Sequence, residues 1–304
     1  MRTIGYWSCI VFGMLFGSTV HAEVILSGVS SAENSLLTST NRIFVTGDQK
    51  VYELTKSADN QWNKQAILAY KTNGQSITCD FLGITEMQGK VYAVCADRVL
   101  NPFSTKRLFS LDLSSASPTL NEVGQIENTT LINGLTNDGN GNLYIADSSI
   151  LGPGKILKLR IGTGGVSQRT VLQYILAKPN GLKLDAGRLY VSLNAVTLLG
   201  HTQIARYDVS GERLVNGRTL YSSLSFFDDF SLVKNGLVIT DFLTGQVKHI
   251  DENTGRVLHQ SSFISPSSVL VGQQPILPRG TLLVTEKLLG TVYRYDNTWG
   301  LEPR

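Results

Sequence analysis

Cysteine is scarce in this 304-residue chain, with three in all, and no two stand as C-x-x-C, so thiol redox catalysis has no support. A G-x-S-x-G elbow is also missing, which leaves serine-hydrolase chemistry without its nucleophile. No stretch carries apolar residues at helical spacing, and no linker or low-complexity break divides the sequence. The glycines at Gly162, Gly164 and Gly165 precede no helix, so they read as a turn rather than a phosphate cradle. Lys and Arg are scattered, the formal charge is only +3, and no nucleic-acid surface is expected.

What the sequence does hold is a repeat. A short apolar strand recurs around Ile43, Val91, Leu143, Leu189, Leu237 and Leu282. A partner strand follows each, beginning at Lys50, Arg107, Lys155, Gln203, Gln246 and Thr291. The clearest copy runs from Leu131 to Arg160, where Gly139, Asn140 and Gly141 turn one strand back on the next. A period in the high forties filled with short strands is what one four-stranded propeller blade requires.

Fourth strands fit at 65–70, 121–126, 170–175, 219–224 and 257–263, and only the last copy lacks one. The segment from Glu23 to Ser27 stands before the first copy and would supply it, closing the ring and removing two open sheet edges. The expectation is an all-β, six-bladed β-propeller closed by an N-terminal strand, occupying residues 23–304 as one domain.

Residues 1–22 read as a secretory signal. Arg2 precedes an apolar run from Ile4 to Phe16, and Val20, His21 and Ala22 form a small-residue cleavage site, with the cut predicted after Ala22. The run is short for a bilayer span, and an N-terminal anchor is the competing reading. Removal of this segment leaves a secreted or periplasmic protein with no stable membrane span and with Cys79 and Cys95 as its remaining cysteines. These fall at the start of the second blade's first strand and the end of its second, where a hairpin at Gly89 sets them opposite. A disulfide is expected there, against two buried thiols as the alternative.

In a propeller, the start of each innermost strand and the loop after each second strand open on the same face, around the central channel. Aligned on the anchors, Glu33, Asn133, Asn180 and Asp228 fall at that opening from four different blades. Asp80 and Ser267 are the nearest counterparts in the other two, out of spacing. Two carboxylates and two amide oxygens make a site for one hard divalent cation, with calcium favoured and magnesium and manganese as alternatives. The bland reading is that Asn133-Gly134 and Asn180-Gly181 are hairpin turns and that Asp228 caps one. Asp229 rivals Asp228, although Phe230 and Leu232 alternate correctly after Asp228.

At these residues the chain resembles the regucalcin and gluconolactonase group of six-bladed propellers, with paraoxonases and strictosidine synthases as more distant relatives. The resemblance rests on Ala-Glu-Asn at 32–34, Asn-Gly-Leu at 133–135, Pro-Asn-Gly-Leu at 179–182 and Asp-Asp-Phe at 228–230. It implies one Glu, two Asn and one Asp around a single divalent metal, and hydrolysis of a small-molecule lactone or related ester. Two departures limit it. Leu131 stands where gluconolactonase-like members carry an arginine used on polar substrates, which disfavours sugar lactones. The histidine pair of paraoxonase-like members is missing, and His201 alone among the remaining histidines lies on the right face.

In this reading the metal polarises the carbonyl and Asp228, or failing that Asp229, takes the proton of the attacking water. Leu198, Leu199, Phe226 and Phe227 would make the rim apolar. The alternative is a non-enzymatic propeller that binds a small molecule, glycan or protein, with the ion structural. A third reading is metal-free chemistry by Glu286, as in the strictosidine synthase relatives. Oligomeric state is left open.

Overall fold

The computed structural model describes residues 22–47, 49–196 and 200–304. No described residue is helical, and the described strands form six sheets, antiparallel but for one short parallel pair in the second. The third blade is formed by Ile132–Asn137, Asn142–Asp147, Gly154–Gly162 and Gly165–Ile175, ordered from the inner strand outward. The second strands (Ile43–Gly47, Lys90–Ala96, Asn142–Asp147, Arg188–Asn194, Gly236–Asp241 and Leu282–Glu286) are almost wholly buried, since a neighbouring blade covers each of their faces. That is why they read as continuous apolar runs rather than as alternating ones.

The sixth blade closes as expected. Ala22–Leu26 pairs antiparallel with Thr291–Tyr295 and becomes the outer strand of the sheet that holds Pro266–Val271 and Leu282–Glu286. The register Ala22↔Tyr295 places Ala22 at the end opposite the channel mouth. The predicted leader falls on residues 1–21, outside the described residues, and on Ala22.

One predicted strand divides. The segment 65–70 is not a single outer strand: Trp62–Ile67 completes the first blade, while Ala69–Tyr70 crosses over and pairs in parallel with Leu120–Gln125 of the second. Leu68, exposed between them, is where the chain changes sheets.

Cys79 and Cys95 are bonded, with Cα atoms 5.9 Å apart. They lie in an apolar cluster with Phe44, Phe81 and Phe109 that joins the first blade to the second. The bridge closes a loop of 16 residues' separation, for which the chain-entropy model gives about 3 kcal/mol. Cys79→Ser with Cys95→Ser is therefore expected to lower the thermal midpoint by roughly 6–10 °C, read by scanning calorimetry. An unchanged midpoint would show that the cluster holds without the bond.

Candidate active site at the channel mouth

The innermost strands of blades two to six do not run straight. Each carries a register shift near its start, between Phe81 and Ile84, Ile132 and Leu135, Pro179 and Leu182, Phe227 and Phe230, and Pro266 and Ser268. A bulge of this kind takes residues out of the ladder and re-aims their side chains. Asn133, Asn180 and Asp228 all stand inside such bulges, in register round the ring.

The Asn-Gly pairs are therefore not hairpin turns, because both lie within inner strands, Ile132–Asn137 and Lys178–Asp185. Their glycines are required by a close approach between blades. A Cβ on Gly134 would meet the Asn180 carbonyl oxygen at 2.2 Å, and one on Gly181 would meet the Asp229 carboxylate at 2.9 Å and the Asp228 carbonyl at 3.0 Å. In the second blade Gly83 repeats the pattern, 2.3 Å from the Asn133 carbonyl. The residue before it is Leu82, so an apolar side chain holds the bulge position there. Asp80 lies two residues earlier and accepts a bond from the Val99 amide at 3.1 Å. Ser267 fills the sixth bulge and donates to the Ala32 carbonyl at 2.6 Å.

Hydroxyl groups on second strands hold the irregular backbone, as buried peptide groups outside a ladder require. Thr46, Ser192 and Thr240 accept from the amides of Asn34, Gly181 and Asp229 at 3.0, 2.7 and 2.9 Å. Thr285 donates to the Glu33 carbonyl at 3.3 Å. The sequence reading missed these residues, yet a signal was there: each stands three positions after the apolar anchor of its blade.

Glu33 and Asp228, from blades one and five, are both buried. Asp228 Oδ1 accepts from Asn180 Nδ2 at 2.7 Å. Burial, and next the negative charge of Glu33, push the Asp228 carboxyl well above the usual carboxylate range. Lys287, directly after the last second strand, places Nζ 2.5 Å from Glu33 Oε2. Burial alone would lower its ammonium, but Glu33 and Asp228 together outweigh this and raise it. Nothing in the sequence had marked Lys287.

Asn133 is half-buried in its bulge. Asp229 turns away from Asp228 and is paired with Lys183 at 3.0 and 3.2 Å. Phe227 is a correction: it is fully buried and stacked on Tyr221, with ring centroids 5.6 Å apart, so it is core rather than rim. The reason is that Phe227 still lies in the ladder, opposite Asp241, and the bulge begins only after it. Leu131 is half-buried, its amide held by Asp147 at 2.9 Å. His201 is exposed at the start of its strand, and Leu198 and Leu199 lie outside the described residues. Glu286 is committed to structure, accepting from the amides of Ile264 (2.7 Å) and Ser265 and from the Ser265 hydroxyl at 3.0 Å.

A cleft of about 680 Å³ opens beside Glu33, and Phe81, Leu82, Val99 and Leu100 line it together with Asp80, Asp97, Arg98 and Lys287. Among the described residues no three His, Cys, Asp or Glu side chains converge as a metal cluster, so a cation here would rest on two carboxylates and amide oxygens. That donor set fits a hard divalent ion. Two buried carboxylates in each other's field, with one ammonium between them, are short of positive charge.

These features define a six-bladed propeller with an acidic channel mouth. No family model matches the chain, and no curated protein matches it by sequence. Solved structures do. A gluconolactonase from Xanthomonas campestris is 16% identical with a TM-score of 0.65, covering 89% of this chain and 87% of its own. A glucose dehydrogenase is 13% identical with a TM-score of 0.64, covering 91% and 99%. A structure of the nidogen/laminin complex contains a chain 16% identical with a TM-score of 0.63, covering 86% and 91%. At these identities the likeness is one of fold alone.

Proposed function

We propose that the chain is an exported, divalent-metal-dependent hydrolase of lactones or related esters. The observation that carries this reading is the meeting of buried Glu33 and Asp228, with Asn180 hydrogen-bonded to Asp228, beneath an open cleft. Glu33, Asn133, Asn180 and Asp228 would hold the ion, calcium before magnesium or manganese. When bound, it supplies Lewis-acid polarisation of the carbonyl and stabilises the developing oxyanion.

The protein's own groups do the rest. Asp228, with Oδ1 engaged by Asn180, has Oδ2 left to take the proton of an attacking water. Asp229, paired with Lys183, has less to offer. Lys287, paired with Glu33, brings positive charge to the cleft. Phe81, Leu82, Val99 and Leu100 favour an acyl or aryl substituent over a sugar. The gluconolactonase among the structural neighbours supports a lactone as substrate class. The disulfide is compatible with export, and no described helix is long and apolar enough to cross a membrane.

The second reading, a ligand-binding propeller with a structural ion, draws on the Lys287 ammonium that covers Glu33. One experiment separates the two. Calorimetry with calcium, magnesium and manganese is combined with a screen of aliphatic, aryl and sugar lactones, for wild type and Glu33→Gln. Stoichiometric binding, with turnover of apolar lactones that falls at least a hundredfold in the variant, is expected. Binding without turnover of any ester would establish the second reading.

A further inference from the structure

The large apolar side chains that stand exposed are not spread evenly over the molecule. Most lie at the channel-mouth end, at the tips of loops that join second to third strands or one blade to the next. Leu100 and Phe103 in the second blade are 83% and 86% exposed, Leu151 in the third 57%, Val196 in the fourth 70%, Leu243 in the fifth 51% and Leu288 in the sixth 73%. The crossings between blades add Leu176 and Ile264. Because every such loop leaves the same end of a propeller, these tips form a ring round the mouth.

Charge is distributed in the opposite sense. At the mouth the ionic groups are turned inward. Lys178 Nζ bonds the carbonyls of Ser149 and Gly152 at 2.6 and 2.8 Å, and Lys106 Nζ bonds those of Pro102 and Ser104 at 3.0 and 2.7 Å. Asp147, Asp241 and Glu286 are buried in the loop bases. Lys50, Arg98 and Glu127 are exposed there, whereas the far end exposes Lys56, Asp59, Lys90, Arg188, Arg213 and Arg256.

We propose that the channel-mouth face docks on a lipid surface, with the ring of apolar loop tips seated among the acyl chains and the mouth of the cleft opening onto the bilayer. Separate apolar tips at one end of the molecule suit a fluid surface, which fills the gaps between them. The inward-turned ionic groups already have partners, so seating the ring leaves few charges without water. A second copy, docked ring to ring, would seal both clefts. The inference does not depend on the reaction proposed above.

The test is flotation of the processed protein, its N-terminus determined, with vesicles of phosphatidylcholine and of phosphatidylcholine containing phosphatidylglycerol. Binding to both, persisting in high salt, is expected. Leu100→Ser with Phe103→Ser, and Leu288→Ser with Leu289→Ser, should each cut partitioning about tenfold without moving the thermal midpoint. Val257→Ser with Leu258→Ser, at the far end, should change nothing. Flotation of the mouth variants equal to wild type would overturn the proposal and assign binding to the N-terminal segment, whose strand begins at the far end. Absence of flotation would overturn it too, as would self-association in sedimentation that the mouth variants abolish.

Discussion

Asp228→Asn is expected to abolish stoichiometric divalent-cation binding and, in the same protein, to raise the thermal midpoint measured in chelator. The two effects share a cause. Without a cation, Asp228 is ionised at a cost, because it is buried and faces the charge of Glu33. The asparagine keeps the shape and removes that charge.

The sign of the pH dependence follows. A carboxyl whose folded pKa is raised binds its proton more tightly folded than unfolded. Its contribution to stability is full below its unfolded pKa, about 4, and is lost as pH rises through the folded value. In chelator, raising pH from about 5 toward neutrality should lower the wild-type midpoint relative to that of Asp228→Asn; burial lowers the pKa of His249, which contributes with the opposite sign in both proteins. At Asp138 and Glu252 burial is outweighed by bonds from Asn142 and Arg304, and their pKa values are lowered. They act in the other sense, below about pH 4, outside this window. A saturating divalent ion should flatten the wild-type slope. A variant that still binds the ion would remove Asp228 from the ligand set, and a lower midpoint in chelator would make its carboxylate a structural group.

Gly134→Ala should be among the most damaging single methyl groups the protein could acquire. The added carbon would lie 2.2 Å from the Asn180 carbonyl oxygen and 2.8 Å from the Leu182 amide, both backbone atoms of the next blade. Relief requires two inner strands to separate, at a cost of about 3 kcal/mol, or roughly 6–10 °C in midpoint. The same separation parts Asn180 from Asn133, so ion affinity should fall as well. Gly139→Ala is the control. Its φ is +72° with no atom within 4 Å, so it bears only left-handed backbone strain of about 1–2 kcal/mol. Equal midpoints for the two variants would show that the blades do not meet as closely as this.

The blades were legible because each second strand is buried on both faces and so leaves an unbroken apolar mark in the sequence. Outer strands were less so. The segment 65–70 reads as one strand, but only pairing partners reveal that Ala69–Tyr70 belongs to the next sheet. Phe227 stands next to Asp228 in sequence, but it lies in the ladder while Asp228 lies in the bulge, so the two neighbours part between core and channel.

The sequence by itself determined the six-fold repeat, the closing strand, the paired cysteines and the presence of Glu33, Asn133, Asn180 and Asp228 at equivalent places in their blades. All of these are periodic features, and periodicity can be read along one dimension. Only the tertiary structure decided that Asn-Gly is a contact between blades, that Asp228 faces Asn180 while Asp229 pairs with Lys183, that Lys287 reaches Glu33, and that the apolar tips gather at one end. These depend on which side chains meet across different blades, and curvature of the ring fixes those meetings at sequence separations that no local pattern records.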